Sequence, residues 1–303
     1  MPSREPVVPD LVGARAVVTG ASSGVGLEIA RVLAARGAHV VMPVRSRERG
    51  DRAREAIRAT APEARLELRD LDLASLDSAR RLGRDLVAEG GRLDILVLNA
   101  GVARMGERDR VTTPDGFELH FQTNFLGHAA LTLALLPALR SSATRVAVQC
   151  SLGTALHGVA WDDLQFERRY GALRAYASSK TALGLFGVAL ATRVPETGVG
   201  LCHPGVVPAT AIAPELRGRV RPALRDFVVG HLWNPPPQAA DPALLALAHG
   251  GAPPPFFAPG GPLQFSGAAR RRRPFRRLVD PVGARRIWEL AERLGGGADI
   301  AAR

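Results

Sequence analysis

Short runs rich in β-branched residues alternate with longer segments of helical periodicity over residues 14–210, and this alternation limits the possible folds more than any other feature. Several runs are almost continuously apolar, which is typical of strands covered on both faces. The strand candidates are Arg15–Thr19, His39–Val44, Leu66–Leu68, Ile95–Leu98, Arg145–Cys150 and Val199–Cys202. The helix candidates are Val25–Arg36, Arg47–Ala59, Leu76–Glu89, Asp115–Leu139 and Leu173–Arg193. The pattern predicts an α/β fold in which a doubly wound parallel sheet carries helices on both faces.

The end of the chain has a different sequence pattern, because prolines divide it into short pieces and no second series of strands and helices begins there. We therefore expect residues 1–303 to form a single domain with a core at about residues 11–210. Residues 211–303 would supply a substrate lid, a last strand and an extension rich in arginine and proline. Ala211–Trp233 is the candidate for the lid, and Arg285–Leu294 is predicted to form a closing amphipathic helix.

A glycine-rich turn, T-G-A-S-S-G-V-G over residues 19–26, joins the first strand to the first helix. Glycines at such a turn allow the backbone to approach a pyrophosphate, which then binds the free N–H groups of the helix N-terminus. Glycine-rich turns also occur as plain structural turns, but here the required strand and helix flank it. The turn predicts that the sheet is a Rossmann-type, dinucleotide-binding one.

The spacing T-G-x-x-x-G-x-G resembles the short-chain dehydrogenase/reductase family, and four further motifs of that family follow in the expected order. They are Asp72-Leu73, Asn99-Ala100-Gly101, Tyr176 with Lys180, and Pro204-Gly205. The resemblance spans roughly Leu11 to Thr210 and implies a bound nicotinamide cofactor. Its adenine would lie at Asp72-Leu73 and its nicotinamide beside the Pro-Gly turn. The residues expected to contact the cofactor are Gly20, Ser22, Ser23, Gly24, Val25, Gly26, Arg45, Asp72, Leu73, Asn99, Ala100, Gly101, Tyr176, Lys180, Pro204, Gly205 and Val207.

The end of the second strand indicates which cofactor is used. An acidic residue there would bind the ribose 2′-hydroxyl of NAD and repel the 2′-phosphate of NADP. Position 44 is valine, Arg45 follows it, and Arg47 is close by. An arginine fork pairs with phosphate through charge-assisted hydrogen bonds, so we expect NADP(H) to be preferred over NAD(H). The alternative is that both arginines lie on a solvated loop of an arginine-rich chain.

Tyr176 and Lys180 are predicted to act in acid–base catalysis. The chain has 40 basic residues, and Lys180 is the single lysine among them. Tyr176 and Lys180 are four residues apart, and this i, i+4 spacing places both side chains on one face of a helix. A titratable ammonium is not interchangeable with a guanidinium, and a nearby ammonium is expected to lower the pKa of a tyrosine. Tyr176 would then exchange a proton with the substrate oxygen, and by resemblance Lys180 also binds the nicotinamide ribose.

Two further residues are assigned by the resemblance. Ser151, at the end of the fifth strand, matches the hydroxyl that holds the substrate oxygen beside the tyrosine. Asn124 matches the helix asparagine that orders a water leading to the lysine. A serine that only caps a turn and an asparagine without such a role are the alternatives. One departure concerns the nicotinamide amide, since the family often has threonine where this chain has Ala209, followed by Thr210.

The segment between Ser151 and Tyr176 carries Trp161-Asp162-Asp163-Leu164. Together with His203-Pro204-Gly205, it resembles the branch of retinol dehydrogenases and WW-domain oxidoreductases. That branch implies a lipophilic carbonyl or alcohol as the small-molecule substrate. The expected function is therefore an NADP(H)-dependent oxidoreductase that interconverts a ketone or aldehyde with an alcohol. A homodimer or homotetramer is consistent with the family.

Composition leaves two other classes open and excludes several. Residues 217–303 carry 14 arginines and 6 acidic residues, a net charge of +8 within the +11 of the whole chain. A binder of nucleic acids or anionic surfaces is therefore one alternative, although no nucleic-acid motif accompanies the arginines and no such partner is expected. A redox-inactive, cofactor-binding regulator is the other. Cys150 and Cys202 cannot build a disulfide framework or a four-ligand zinc site, and no metal site is expected. The absence of a signal peptide or transmembrane segment leads us to expect a cytoplasmic protein.

Overall fold

The computed structural model describes residues 10–207 and 233–296 and shows one eight-stranded sheet in the order β3-β2-β1-β4-β5-β6-β7-β8. Neighbouring strands are parallel except for β7 and β8, which pair antiparallel at one edge. The strands are β1 (Arg15–Val18), β2 (His39–Val44), β3 (Arg65–Asp70), β4 (Ile95–Leu98), β5 (Arg145–Gln149), β6 (Gly198–Cys202), β7 (Phe256–Pro259) and β8 (Ala269–Arg272). The order reverses between β1 and β4, the place where doubly wound sheets open a crevice for ligands.

Helices cover both faces of the sheet. They are α1 (Gly24–Ala35), α2 (Arg47–Arg58), α3 (Leu76–Ala88), a π-helix (Phe121–Leu126), α4 (Gly127–Ala134), α5 (Leu136–Ser141), α6 (Gly153–Leu156), α7 (Ala172–Arg193), α8 (Pro236–Ala248) and α9 (Pro281–Gly295). One buried apolar cluster joins the sheet to α3, α4, α7 and α9, and a second joins its other face to α1, α2 and α8. The predicted α/β fold, a doubly wound sheet with helices on both faces, is confirmed.

The single helix predicted over Asp115–Leu139 is wrong. Its first residues form a turn, in which Gly116 has a positive φ of 84° and Glu118 forms an isolated β-bridge with Thr112. The remainder is divided into the π-helix, α4 and α5, and the first turn of α5 contains Pro137, which has no backbone N–H to donate. The apolar periodicity indicated helix but not the points at which the hydrogen-bond pattern changes.

The two outer strands β7 and β8 were not among the strand candidates, although a last strand was expected after residue 211. Strand β8 reads Ala-Arg-Arg-Arg and is largely exposed, so it has no apolar alternation that would mark it as a strand. Its backbone pairing with β7 keeps it in the sheet. The closing helix was expected over Arg285–Leu294 and is α9, which begins at Pro281 after the Asp280 N-cap. None of the helices in the described parts of the chain is long and apolar enough to cross a bilayer.

Candidate active site

The predicted site residues follow the carboxyl ends of six parallel strands, which meet at one edge of the sheet. The glycine-rich turn follows β1, and Arg45 follows β2. Asp72 follows β3, Asn99 follows β4, and Ser151 follows β5. The Pro-Gly turn, at Pro204 and Gly205, follows β6. The tyrosine and the lysine reach the same edge from α7, and Asn124 reaches it from the π-helix.

The glycine-rich turn has the shape and polarity of an anion cradle. Gly20 and Gly24 have positive φ angles of 71° and 57°, a conformation that favours glycine. A Cβ on Gly26 would lie 2.3 Å from the Gly20 carbonyl oxygen, so the turn closes only with glycine there. The N-cap Ser23 makes no side-chain capping bond, and the first turn of α1 has no acidic residue. Its backbone N–H groups therefore suit the pyrophosphate of a dinucleotide.

A buried threonine holds the floor of this cradle. The Thr19 hydroxyl accepts hydrogen bonds from the backbone N–H groups of Asn99 (2.9 Å) and Ala100 (3.1 Å), and the Asn99 amide donates back to the Thr19 carbonyl over 2.9 Å. These bonds join the first turn of the fold to the Asn-Ala-Gly motif. A Cβ on Gly20 would lie 2.9 Å from the Ala100 Cα, so the two loops also pack closely.

His128 also contacts Thr19, and the sequence did not predict a role for it. Its Nε2 lies 3.0 Å from the Thr19 hydroxyl, and its Nδ1 lies 3.1 Å from the Asn124 carbonyl oxygen. Since a carbonyl can only accept, Nδ1 carries the ring proton. Burial, and then the charge of Lys180, lower the pKa of His128 to about 3, so the ring stays neutral. No local signal marks this histidine, because its partner Thr19 lies far away in the chain.

The structure separates the two arginines after β2. Arg47 donates to the Asp70 carboxylate over 2.7 Å and to the Leu68 carbonyl over 3.1 Å, and the hydrogen bond with Asp70 holds the pKa of that carboxyl below its usual range. Arg45 is exposed and has no acidic partner within residues 10–207 and 233–296. Of the two arginines, Arg47 is therefore held by Asp70, whereas the Arg45 guanidinium is exposed.

The outer ends of the expected cofactor site are held by backbone contacts. The Asp72 carboxylate accepts from the backbone N–H of Ala74 over 2.9 Å, and Leu73 is buried beneath it. At the opposite end, Gly205 has a positive φ of 86°, and the Pro204 carbonyl accepts a hydrogen bond from the side chain of Asn234 over 2.8 Å. Val207 follows as a buried residue. Ala209, Thr210 and the predicted lid, except for Trp233, lie outside the described residues.

Tyr176, Ser151 and Lys180 are brought together. Helix α7 presents the tyrosine and the lysine from successive turns, and both side chains are buried, with 7% and 4% of their surface exposed. The Ser151 side chain lies near enough to Tyr176 to lower the pKa of the phenol, and it accepts a hydrogen bond from the backbone N–H of Gly153 over 3.2 Å. A phenol, a hydroxyl and an ammonium group therefore lie at the end of β5 and in the first half of α7.

The pKa of the tyrosine shifts in the direction opposite to the one expected from sequence. Burial raises the pKa of Tyr176, and the hydrogen bond from Ser151 opposes that rise. Lys180 is not among the causes of the shift. Burial also lowers the pKa of Lys180 to about 8, since a charged ammonium is costly in an apolar surrounding. Both groups are thus biased toward their neutral forms.

Asn124 and Lys180 approach the loop after β4 from the same side. The Asn124 side chain accepts from the Val102 backbone N–H over 2.7 Å and donates to the Val102 carbonyl and the Ser179 hydroxyl, both over 3.0 Å. A Cβ on Gly101 would lie 3.0 Å from Asn124 Oδ1 and 3.2 Å from Lys180 Nζ. The asparagine lies in the π-helix, a structure that often marks functional sites.

The sequence matches the family model of the short chain dehydrogenases over residues 14–220. The chain belongs to the short-chain dehydrogenase family. This family consists of NAD(P)-dependent dehydrogenases and reductases, which confirms the predicted resemblance and enzyme class.

Curated relatives place this short-chain dehydrogenase near the retinol dehydrogenase branch. It is 35% identical to mouse retinol dehydrogenase 13 over 94% of this chain and 84% of that protein. It is 36% identical to cattle dehydrogenase/reductase SDR family member 13 over 94% of this chain and 74% of that protein. It is 42% identical to mouse polyprenol dehydrogenase over 67% of this chain, and the matched part spans 63% of that relative.

Solved structures show the same fold. An uncharacterised protein from Mycobacterium paratuberculosis superposes with a TM-score of 0.73 at 29% identity, covering 95% of this chain and 96% of the other. RhlG of Pseudomonas aeruginosa, solved in an active-site complex with NADP, gives a TM-score of 0.63 at 27% identity, covering 82% and 93%. The short-chain dehydrogenase therefore has a Rossmann-type fold like that of a neighbour solved with a nicotinamide cofactor.

Proposed function

We propose that this short-chain dehydrogenase is an NADP(H)-dependent oxidoreductase that interconverts a ketone or aldehyde with an alcohol on a lipophilic small molecule. The observation that carries the proposal is the convergence of Ser151, Tyr176 and Lys180 in a buried corner beside the glycine-rich turn. Tyr176 is the general acid in reduction and the general base in oxidation.

The buried environment supports this role for the tyrosine. The phenol of Tyr176 is protonated at neutral pH, since burial raises its pKa further above the ordinary value, and it therefore holds a proton that it can donate to the oxygen of a carbonyl substrate. The hydroxyl of Ser151, which lies beside the phenol, binds that same oxygen and stabilises the negative charge that develops on it. In the reverse direction the phenolate accepts the alcohol proton.

Lys180 supports the tyrosine from the next helical turn. Its Nζ donates one hydrogen bond to the Gln149 carbonyl over 3.2 Å, which leaves further N–H donors for the ribose of a cofactor. Asn124 holds the loop that carries Gly101 against this ammonium group.

A bound nicotinamide cofactor would supply or accept the hydride. The residues that fit it are the cradle of Gly20, Gly24 and Gly26, and the Asn-Ala-Gly motif beneath it. Arg45 supports a preference for NADP(H), since its exposed guanidinium lies where an acidic residue would otherwise select NAD(H). The lipophilic substrate is supported by the names of the relatives, which are polyprenol and retinol dehydrogenases.

A substrate screen tests the proposed function. The purified chain is incubated with NADPH and a panel of aldehydes and ketones of increasing apolar length, and with NADP⁺ and the matching alcohols. Cofactor absorbance reports turnover, and NADH and NAD⁺ run in parallel. We expect turnover that favours NADP(H) and rises with apolar length. Saturable cofactor binding without turnover of any compound would contradict the proposal.

A further inference from the structure

A buried acid–histidine pair lies against the candidate catalytic tyrosine. Glu118 and His120 are both fully buried, with 0% of their surface exposed. The Glu118 carboxylate lies 2.8 Å from His120 Nδ1 through one oxygen, and its other oxygen accepts from the Phe121 backbone N–H over 2.7 Å. Buried polar groups are costly unless hydrogen bonds compensate them, and both oxygens of this carboxyl group have a partner.

The contacts fix the protonation of the imidazole. The Arg104 backbone N–H donates to His120 Nε2 over 3.1 Å, so Nε2 must present a lone pair. The ring proton therefore lies on Nδ1, where it is donated to Glu118. Across residues 10–207 and 233–296, no arginine or lysine lies within ion-pair distance of Glu118, and His120 is its basic partner. The imidazole of His120 thus has its lone pair on Nε2 and donates its Nδ1–H to the Glu118 carboxyl group.

The imidazole also contacts the reacting group. The rings of His120 and Tyr176 meet edge to face, with 6.2 Å between their centroids and 82° between their planes. The carboxylate influences the neighbouring phenol as well, because burial and then Glu118 raise the pKa of Tyr170 to about 12. Both tyrosines of the chain therefore lie close to this pair.

His120, like Asn124, forms a hydrogen bond with the loop after β4. Four residues apart in the helical segment, the two side chains hold consecutive parts of the loop after β4, His120 through Arg104 and Asn124 through Val102. The part of the loop held by Asn124 lies against Lys180. The helical segment thus connects the tyrosine on one side to the lysine on the other.

We propose that Glu118 and His120 are positioning residues for Tyr176. The carboxylate fixes the imidazole as its Nδ1–H tautomer, and the imidazole holds the phenol ring and anchors the adjacent loop. The phenol then meets the substrate oxygen at Ser151 in one orientation. The proposal rests on the proposed function, since it assigns these residues to the proton transfer made by Tyr176.

The test compares His120→Gln with His249→Gln, a matched change at an exposed histidine whose Nδ1 bonds to the Leu245 carbonyl of the preceding helix and whose ring faces Phe257. Glutamine at 120 can still accept from Arg104, but it lacks the ring that faces Tyr176. We expect His120→Gln to lower kcat by about tenfold or more, because small misplacements of reacting groups are costly. The solvent isotope effect on kcat should rise, and the Kd for NADPH should stay within about twofold of wild type, since the cradle is unaltered.

A second readout does not depend on turnover. With only two tyrosines, fluorotyrosine labelling gives two fluorine NMR signals, and Tyr170→Phe assigns them. His120→Gln and His120→Asn should each shift or broaden the Tyr176 signal, whereas His249→Gln should not. If the wild-type chain turns over no substrate, the proposed function fails while the fluorine signal still tests the positioning.

Two results would overturn the inference. One is an unchanged Tyr176 signal together with unchanged kcat in both His120 variants. The other is a fall in kcat that matches a fall in the number of NADPH-binding sites, which would show that the pair only supports folding. Glu118→Gln, which keeps the shape of the side chain and removes its charge, should reproduce the rise in the solvent isotope effect.

Discussion

Lys180 Nζ donates a hydrogen bond to the Gln149 carbonyl oxygen over 3.2 Å, and so connects the middle of α7 to the end of β5. The amide of the same glutamine donates to the Asn99 side chain and accepts from the Cys202 thiol. The lysine is therefore held by the sheet edge that carries the cofactor motifs, and not by its own helix alone. Its ammonium group has a fixed place beside the loop after β4.

We predict that Lys180→Arg cannot replace the lysine. A guanidinium is larger, always protonated and planar, and the Gly101 backbone leaves little room beside Nζ. We expect kcat to fall by about 100-fold, in the range that positioned acid–base groups contribute. Arg84→Lys, the reverse exchange at an exposed position of α3, is the matched control and should keep wild-type kcat. Equal rates for both variants would show that any cation suffices at position 180.

Lys180 should also affect how the free energy of unfolding depends on pH. Burial lowers the pKa of Lys180 from 10.5 to about 8, so between these values the unfolded chain binds the proton more tightly than the folded chain. Burial of Lys180 costs free energy of folding while the side chain is charged. This cost falls as the pH rises through that interval, so the folded state becomes more stable, and the full cost applies below pH 8.

The comparison with Lys180→Met isolates this effect. Burial raises the pKa values of Cys150 and Cys202, and these thiols give the opposite slope in both proteins. Relative to Lys180→Met, the wild-type free energy of unfolding should rise by roughly 1–2 kcal/mol from pH 8 to pH 9.5. Urea unfolding across this range measures it, and parallel curves for the two proteins would contradict a lowered lysine pKa.

Cofactor preference should reverse at a single position. Arg45→Asp places a carboxylate where it can accept from the ribose 2′-hydroxyl and repel a 2′-phosphate. We expect the Kd for NADPH to rise by about 100-fold, because the variant loses a charge-assisted contact with the 2′-phosphate. The Kd for NADH should fall. Arg47→Ala is the control, because Arg47 is occupied by Asp70 and should leave the ratio unchanged. Fluorescence titration with both cofactors measures the ratio, and a change of ratio in the Arg47 variant alone would refute the assignment.

Local sequence patterns were sufficient for the fold class and for where most candidate residues lie. Apolar runs located six of the seven parallel strands, and the motifs that follow these six meet at one edge because the carboxyl ends of parallel strands point the same way. The spacing of Tyr176 and Lys180 fixed their common helical face. These predictions depend on short-range geometry alone.

Other features of the site depend on contacts between residues that are distant in the sequence, which local patterns do not report. His128 joins the site through Thr19, and His120 joins it through Arg104 and Tyr176, all brought together by the fold. The direction of the Tyr176 pKa was wrong for the same reason, since desolvation depends on how completely neighbouring elements cover the phenol. The division of the helix predicted over Asp115–Leu139 followed hydrogen bonds that apolar periodicity does not report.

Single-turnover hydride transfer in Tyr176→Phe tests the central claim most directly. The variant removes one hydroxyl from a buried ring, and Tyr170→Phe makes the same change at the other tyrosine of the chain. With a substrate from the screen and bound NADPH, we expect Tyr176→Phe to lose about 1,000-fold or more in rate, within the contribution of general acid catalysis, while it binds NADPH normally. Tyr170→Phe should retain the wild-type rate. Undiminished hydride transfer in Tyr176→Phe would contradict the account of this site.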